Sequence, residues 1–115
     1  MRQASTNNLY FGYVTGSAYA NTEMGTFFTG YNDTWVYFAI VIDYSGATAK
    51  FYRNGMWIQT NNMTTPVFPS STRAKYLGAI STANYKIIDG DLDDIRIYNR
   101  ELSAAEIKAI YEGTK

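Results

Sequence analysis

The sequence predicts an all-β fold, an antiparallel sandwich with one short helix at its C-terminal end. Three observations predict it. Short runs rich in β-branched and aromatic residues recur between clusters of Gly, Asn, Asp, Ser and Thr. Asn54-Gly55 stands between two such runs, as a tight hairpin requires. The stretch from Gly90 to Ile107 carries an acidic, strand-like run into a fully marked helix start.

In chain order the strand-like runs are Asn8 to Val14, Thr22 to Thr29, Trp35 to Asp43, Thr48 to Arg53, Met56 to Asn61, Ala74 to Ile80 and Asp91 to Tyr98. Thr64 to Thr72, with Pro66 and Pro69, is the longest irregular stretch. Around Asn54-Gly55, a two-residue type I′ turn pairs Arg53 with Met56, Tyr52 with Trp57 and Phe51 with Ile58. Alternate residues share a face, so Phe51 and Ile58 point to the core while Lys50, Tyr52, Trp57 and Gln59 point away from it. A four-residue loop at Tyr44-Ser-Gly-Ala47 pairs Asp43 with Thr48, Val41 with Lys50, Ala39 with Tyr52 and Tyr37 with Asn54. Ile40 and Ile42 then join the core, and Tyr37, Ala39 and Val41 join Tyr52 and Trp57 on the second face.

The helix begins at Ser103. Its hydroxyl can cap the Glu106 amide while Glu106 reaches back to the serine amide, and Leu102 and Ile107 occupy the two positions of a hydrophobic staple. Ile110 and Tyr111 continue the apolar stripe, and Gly113 offers a left-handed stop. So short a helix persists only if it docks.

Composition narrows the function. In 115 residues, 46% of them hydrophobic, there is room for a single domain with its own core, spanning 1–115. Ten basic and ten acidic residues cancel, and no basic run appears, so nucleic acid is not the expected partner. No stretch approaches the roughly 18 apolar residues of a membrane span, and no membrane partner is expected; the first ten residues lack the apolar centre of a signal peptide. With neither cysteine nor histidine, disulfides, thiol nucleophiles, the commonest general base and the usual zinc ligand are all missing.

Two groups of residues invite a site. Tyr37, Tyr52 and Trp57 form an aromatic face on which sugar rings could stack, with Lys50, Asn54 and Gln59 placed to bond hydroxyls; alternatively these rings only cover the sheet or are covered in turn. Asp89, Asp91, Asp93 and Asp94 form an acidic cluster, three of whose members alternate along one strand face, and oxygen ligands of that kind suit calcium. The alternative has Asp93 accepting backbone hydrogen bonds while Asp89 and Asp91 are solvated. Arg96 and Arg100 read as surface residues that pair with Asp94 or Glu101.

The segment Gly90-Asp-Leu-Asp-Asp-Ile-Arg-Ile-Tyr-Asn-Arg-Glu-Leu-Ser-Ala-Ala-Glu-Ile107 resembles the closing signature of laminin-G-like, concanavalin A-like jelly-roll domains. Thr34 to Asp43 resembles the family's Trp-x-x-x-Ala strand, and Phe51-Tyr-Arg-Asn-Gly55 its Leu-Tyr-Val-Asn-Gly hairpin. The likeness runs from about Trp35 to the C-terminus. It implies a jelly-roll sandwich lacking its opening strands, either a fragment or one whose gap another chain fills. It also implies a packing role for Trp35 and a structural calcium held by Asp93, with Asp91 beside it. Some glucanases of this fold carry a Glu-x-Asp-x-x-Glu strand, but here every candidate is aspartate and no glutamate follows at that spacing, so no enzyme is expected. The resemblance implies a non-catalytic, extracellular or cell-surface module that binds a glycan or an extracellular protein. Its rival is a structural or self-associating module, a homo-oligomer that buries its aromatic face and open strand edges.

Overall fold

The computed structural model describes residues 7–15, 19–64, 66, 75, 77–78 and 90–114. Among them are five strands and one helix: β1 (Leu9–Val14), β2 (Tyr19–Met24), β3 (Phe38–Asp43), β4 (Thr48–Arg53), β5 (Met56–Asn62) and α1 (Ala104–Thr114). β1 and β2 pair antiparallel as one sheet, and β3, β4 and β5 form a second antiparallel sheet in that order.

The two sheets enclose the main core. Leu9, Tyr13, Met24 and Phe27 on one side meet Ala49, Phe51 and Met63 on the other, with Ile40, Ile42 and Ile58 packed against them. Period-two alternation along β3 and β4 produces this, since Ile40, Ile42, Ala49 and Phe51 all point the same way. Polar ties reinforce the apposition. The Asn61 amide donates to Thr22 Oγ1 at 2.9 Å and to the Glu23 carbonyl at 2.6 Å, and the Thr64 amide donates to the Tyr13 hydroxyl at 2.9 Å.

The expected register of β3 on β4 is the observed one, residue for residue from Asp43–Thr48 to Ala39–Tyr52. The β4–β5 hairpin departs from expectation. Asn54 and Gly55 adopt φ of 50° and 80°, as a type I′ turn requires, and Arg53–Met56 and Tyr52–Trp57 pair as expected. A bulge then intervenes, and Phe51 lies opposite Gln59, not Ile58. One extra residue in β5 exchanges the faces of everything beyond it. Ile58 still reaches the core, but Gln59 leaves the Trp57 side.

Other boundaries also differ. β2 ends at Met24, because 25–30 is a turn region in which Thr26 (φ 60°) and Gly30 (φ 82°) are left-handed. β3 begins at Phe38 rather than Trp35. The run Asp91–Tyr98 is not a strand: Asp94 is left-handed at φ 52°, and no described residue supplies a neighbouring ladder. Most of the run Ala74–Ile80 lies outside the described residues. Gly113 has ordinary helical backbone, and α1 continues through it to Thr114.

The β3–β4 loop is built on Asp43. Its Oδ1 accepts hydrogen bonds from Ser45 Oγ at 2.7 Å and the Gly46 amide at 2.9 Å. The Gly46 amide, and after it the Ser45 hydroxyl, hold the carboxyl below its ordinary value of 3.8. A depressed folded-state value means that this stabilisation is present above the unfolded value and is lost as pH falls through the folded one. Melting temperature should therefore fall on acidification below about pH 4. In Asp43→Asn, which keeps an acceptor oxygen without the charge, that fall should be shallower; an unchanged slope in thermal melts at stepped pH would remove Asp43 as a contributor.

Candidate functional site

The structure brings five of the six proposed ligand residues to the outer side of the three-stranded sheet, then covers much of it. Capping and staple set the helix. Glu106 N–H donates to Ser103 Oγ at 3.2 Å and Ser103 N–H to Glu106 Oε1 at 3.4 Å, while Leu102 and Ile107 pack with Val41 and Tyr52. Arg100 holds Glu106 from outside through both guanidinium nitrogens, at 2.6 and 3.2 Å, and with the serine bonds keeps that carboxyl below its ordinary value. The Arg100 fork therefore engages Glu106, and only the carbonyl of Glu101. This places α1 across the second face of the sheet, with Ile107 fully buried.

The consequence for the aromatic face is direct. Tyr52 is 5% exposed, buried with Val41 and Ile107. Tyr37 meets the ring of Tyr111 at 5.7 Å between centroids, tilted by 42°, and burial pushes its hydroxyl above the ordinary tyrosine value. Asn54 is also engaged: its Oδ1 accepts from the Tyr37 backbone N–H at 3.1 Å, and its backbone N–H donates to the Tyr37 carbonyl at 2.9 Å. Lys50 stays half-buried on the same face. Trp57 alone among the three rings is open, at 56% exposure, its indole N–H donating to Thr60 Oγ1 at 2.9 Å. The bulge puts Thr60 where Gln59 was expected, and the Gln59 amide bonds Asn61. The open wide platform is thus corrected to a single tryptophan beside a threonine.

Two described members of the acidic cluster, Asp93 and Asp94, are engaged locally. Asp93 Oδ1 accepts the Asp94 amide at 2.8 Å, and Asp94 is held by Arg96 at 2.9 and 3.1 Å. Among the described residues no three carboxylates come together as metal ligands. Asp89 lies outside the described residues.

A different feature emerges on the other side of the same segment. A groove of about 750 Å³ runs between residues 28–38 and 90–97, with Lys75 and Leu77 at its edge. Trp35, expected as a packing residue, stands at this groove 69% exposed. Ile95 and Ile97 also line it, and Ile97 is 92% exposed. The wall at 28–31 is braced by Arg53, whose Nη1 donates to the Phe27 carbonyl at 2.7 Å and whose guanidinium lies 4.7 Å from the Tyr31 ring. Alternation in Ile95 and Ile97 hinted at a strand, but sequence alone could not say that these side chains would face a groove.

A family profile described as the concanavalin A-like lectin/glucanases superfamily matches residues 1–108. The chain belongs to this superfamily. The match extends through the N-terminal third, beyond the segment from Trp35 onward that carries the sequence likeness. The fold is similar to that in a crystal structure of an S-layer domain-containing protein, residues 221–444, from Clostridium thermocellum ATCC 27405. That structure aligns with a TM-score of 0.57 and 24% identity, over 90% of this chain and 51% of the other. The superfamily member described here thus spans about half the length of that domain. No curated protein sequence matches the chain.

Proposed function

We propose that the chain is a non-catalytic docking module of an extracellular or cell-surface protein, and that its partner is a polypeptide. The observation that carries the proposal is the groove at Trp35, Ile95 and Ile97, whose apolar side chains are open to solvent. Its lining mixes rings with the aliphatic Val36, Leu77, Leu92, Ile95 and Ile97, and the exposed Ile95 and Ile97 suit a protein partner better than a sugar, since sugars stack on rings. A surface setting is what the S-layer description of the solved relative lends to the proposal. The absence of histidine and cysteine from the sequence, and of any Glu-x-Asp-x-x-Glu strand, supports a non-catalytic role.

Selection from a displayed random-peptide library tests it. Peptides that bind the chain and lose at least tenfold in affinity against Trp35→Ala support polypeptide docking; a folded chain that selects none refutes it. A second reading is favoured by the open Trp57 beside Thr60: carbohydrate stacking on that ring. Binding on a glycan panel that disappears in Trp57→Ala, and not in Trp35→Ala, would establish that reading instead.

A further inference from the structure

The turn between β4 and β5 carries a reactive dipeptide. Asn54 is the one asparagine of the chain that is followed by glycine. With no side chain on Gly55 to obstruct it, the Gly55 nitrogen can close a five-membered ring on the Asn54 side chain, which is the first step of deamidation. Ring closure needs the Gly55 nitrogen and the Asn54 Cβ on the same side of the intervening Cα–C bond. A left-handed residue holds them nearly opposite, and Asn54 is left-handed at φ 50°.

Two sets of contacts keep it there. Asn54 Oδ1 accepts the Tyr37 backbone N–H at 3.1 Å and the Asn54 backbone N–H donates to the Tyr37 carbonyl at 2.9 Å, so side chain and main chain are both tied to Tyr37. Gly55 is buried, and Tyr111 of α1 lies so close that a Cβ on Gly55 would stand 2.8 Å from Tyr111 Cδ1. Turning the Asn54–Gly55 peptide into the reactive geometry swings Gly55 against that ring. The turn is therefore free to rearrange only when α1 lifts. That helix has eleven residues and is seated on the sheet through Ile107, so it is an element that can open locally.

We propose that Asn54-Gly55 is a deamidation site latched by α1. With the helix docked, the amide is preserved. With the helix lifted, the Gly55 nitrogen gives its proton to hydroxide and bonds to Asn54 Cγ, and the Cγ–Nδ2 bond breaks to release ammonia. Water then opens the ring: attack at Cγ leaves aspartate, whereas attack at the Asn54 main-chain carbonyl leaves isoaspartate, with Cβ and Cγ now part of the backbone. That backbone is longer by one carbon and no longer fits a two-residue turn. Conversion is thus one-way, since it prevents α1 from reseating on the hairpin and leaves Tyr37 and Tyr52 uncovered.

Peptide mapping by mass spectrometry in isotopically heavy water follows conversion at Asn54, and an isoaspartate-specific methyl-transfer assay reports the longer product. At mildly alkaline pH the native chain should convert roughly tenfold or more slowly than the same chain in guanidinium chloride, because only the open fraction reacts. Tyr111→Ala should convert at least roughly threefold faster than the parent while circular dichroism still shows a folded chain, and Ile107→Val, a milder change at the helix seat, should also be faster. Met24→Ala, which weakens the main core and leaves the turn and α1 untouched, should keep the parent rate. Equal rates in the native and denatured parent, no gain in either helix variant, or an equal gain in Met24→Ala overturns the latch. The isolated isoaspartate form should show weaker helical circular dichroism and faster protease cutting within 104–114; a form that matches the parent in both overturns the one-way step.

Discussion

Replacing Ile107 with alanine is expected to destabilise the fold by about 3 kcal/mol, in the range for a fully buried isoleucine cut to a methyl group. Ile107 is the one fully buried side chain of α1, and it sits on Val41 and Tyr52. An eleven-residue helix is marginal on its own, so its order depends on this contact. The melting temperature should drop by roughly 10 °C for a domain of this size. Protease should also cut within 104–114 more readily than in the parent chain. A shift of less than roughly 2 °C would mean that the helix contributes little packing, and that Tyr52 is not held beneath it.

Gly55→Ala is expected to cost about 2 kcal/mol for two independent reasons. The first is backbone: Gly55 holds φ at 80°, where a Cβ meets its own carbonyl. The second is contact, since a Cβ on Gly55 would lie 2.8 Å from Cδ1 and 3.2 Å from Cβ of Tyr111 on α1. Thermal melts of Gly55→Ala, Tyr111→Ala and the double variant separate the two. The double variant should be less destabilised than the sum of the singles, because the clash then has no partner, while the backbone cost remains. Strict additivity would assign the whole effect to φ and would place the helix farther from the hairpin.

Both results bear on function through the same geometry. The hairpin turn and the helix meet at Gly55 and Tyr111, and together they close the sheet face on which Tyr37 and Tyr52 were expected to receive a sugar. If either variant loosens that closure, those rings become accessible and any gain in glycan binding would come from the helix leaving. The groove at Trp35 shares only Tyr37 with this junction, so peptide capture through Trp35, Ile95 and Ile97 should survive in both variants at temperatures where they remain folded.

Local chemistry in the sequence determined a good deal. Asn54-Gly55 specified its turn because few residue pairs tolerate two left-handed positions in succession. Ser103, Glu106, Leu102 and Ile107 specified the helix start because cap and staple act within a single turn. Alternation assigned Ile40, Ile42 and Phe51 to the core, because a strand has only two faces. Tertiary structure decided what those faces meet. That α1 folds onto Val41 and Tyr52 depends on where the chain returns after residue 98, which no local pattern records. The bulge that moves Gln59 away from Trp57 is one extra residue accommodated between two sheets, invisible to a two-residue turn rule. Trp35 and the 91–98 segment show the same limit most plainly: strand propensity and apolar character were legible, but pairing and burial require a neighbour, and only the arrangement of the other strands determines whether one is there.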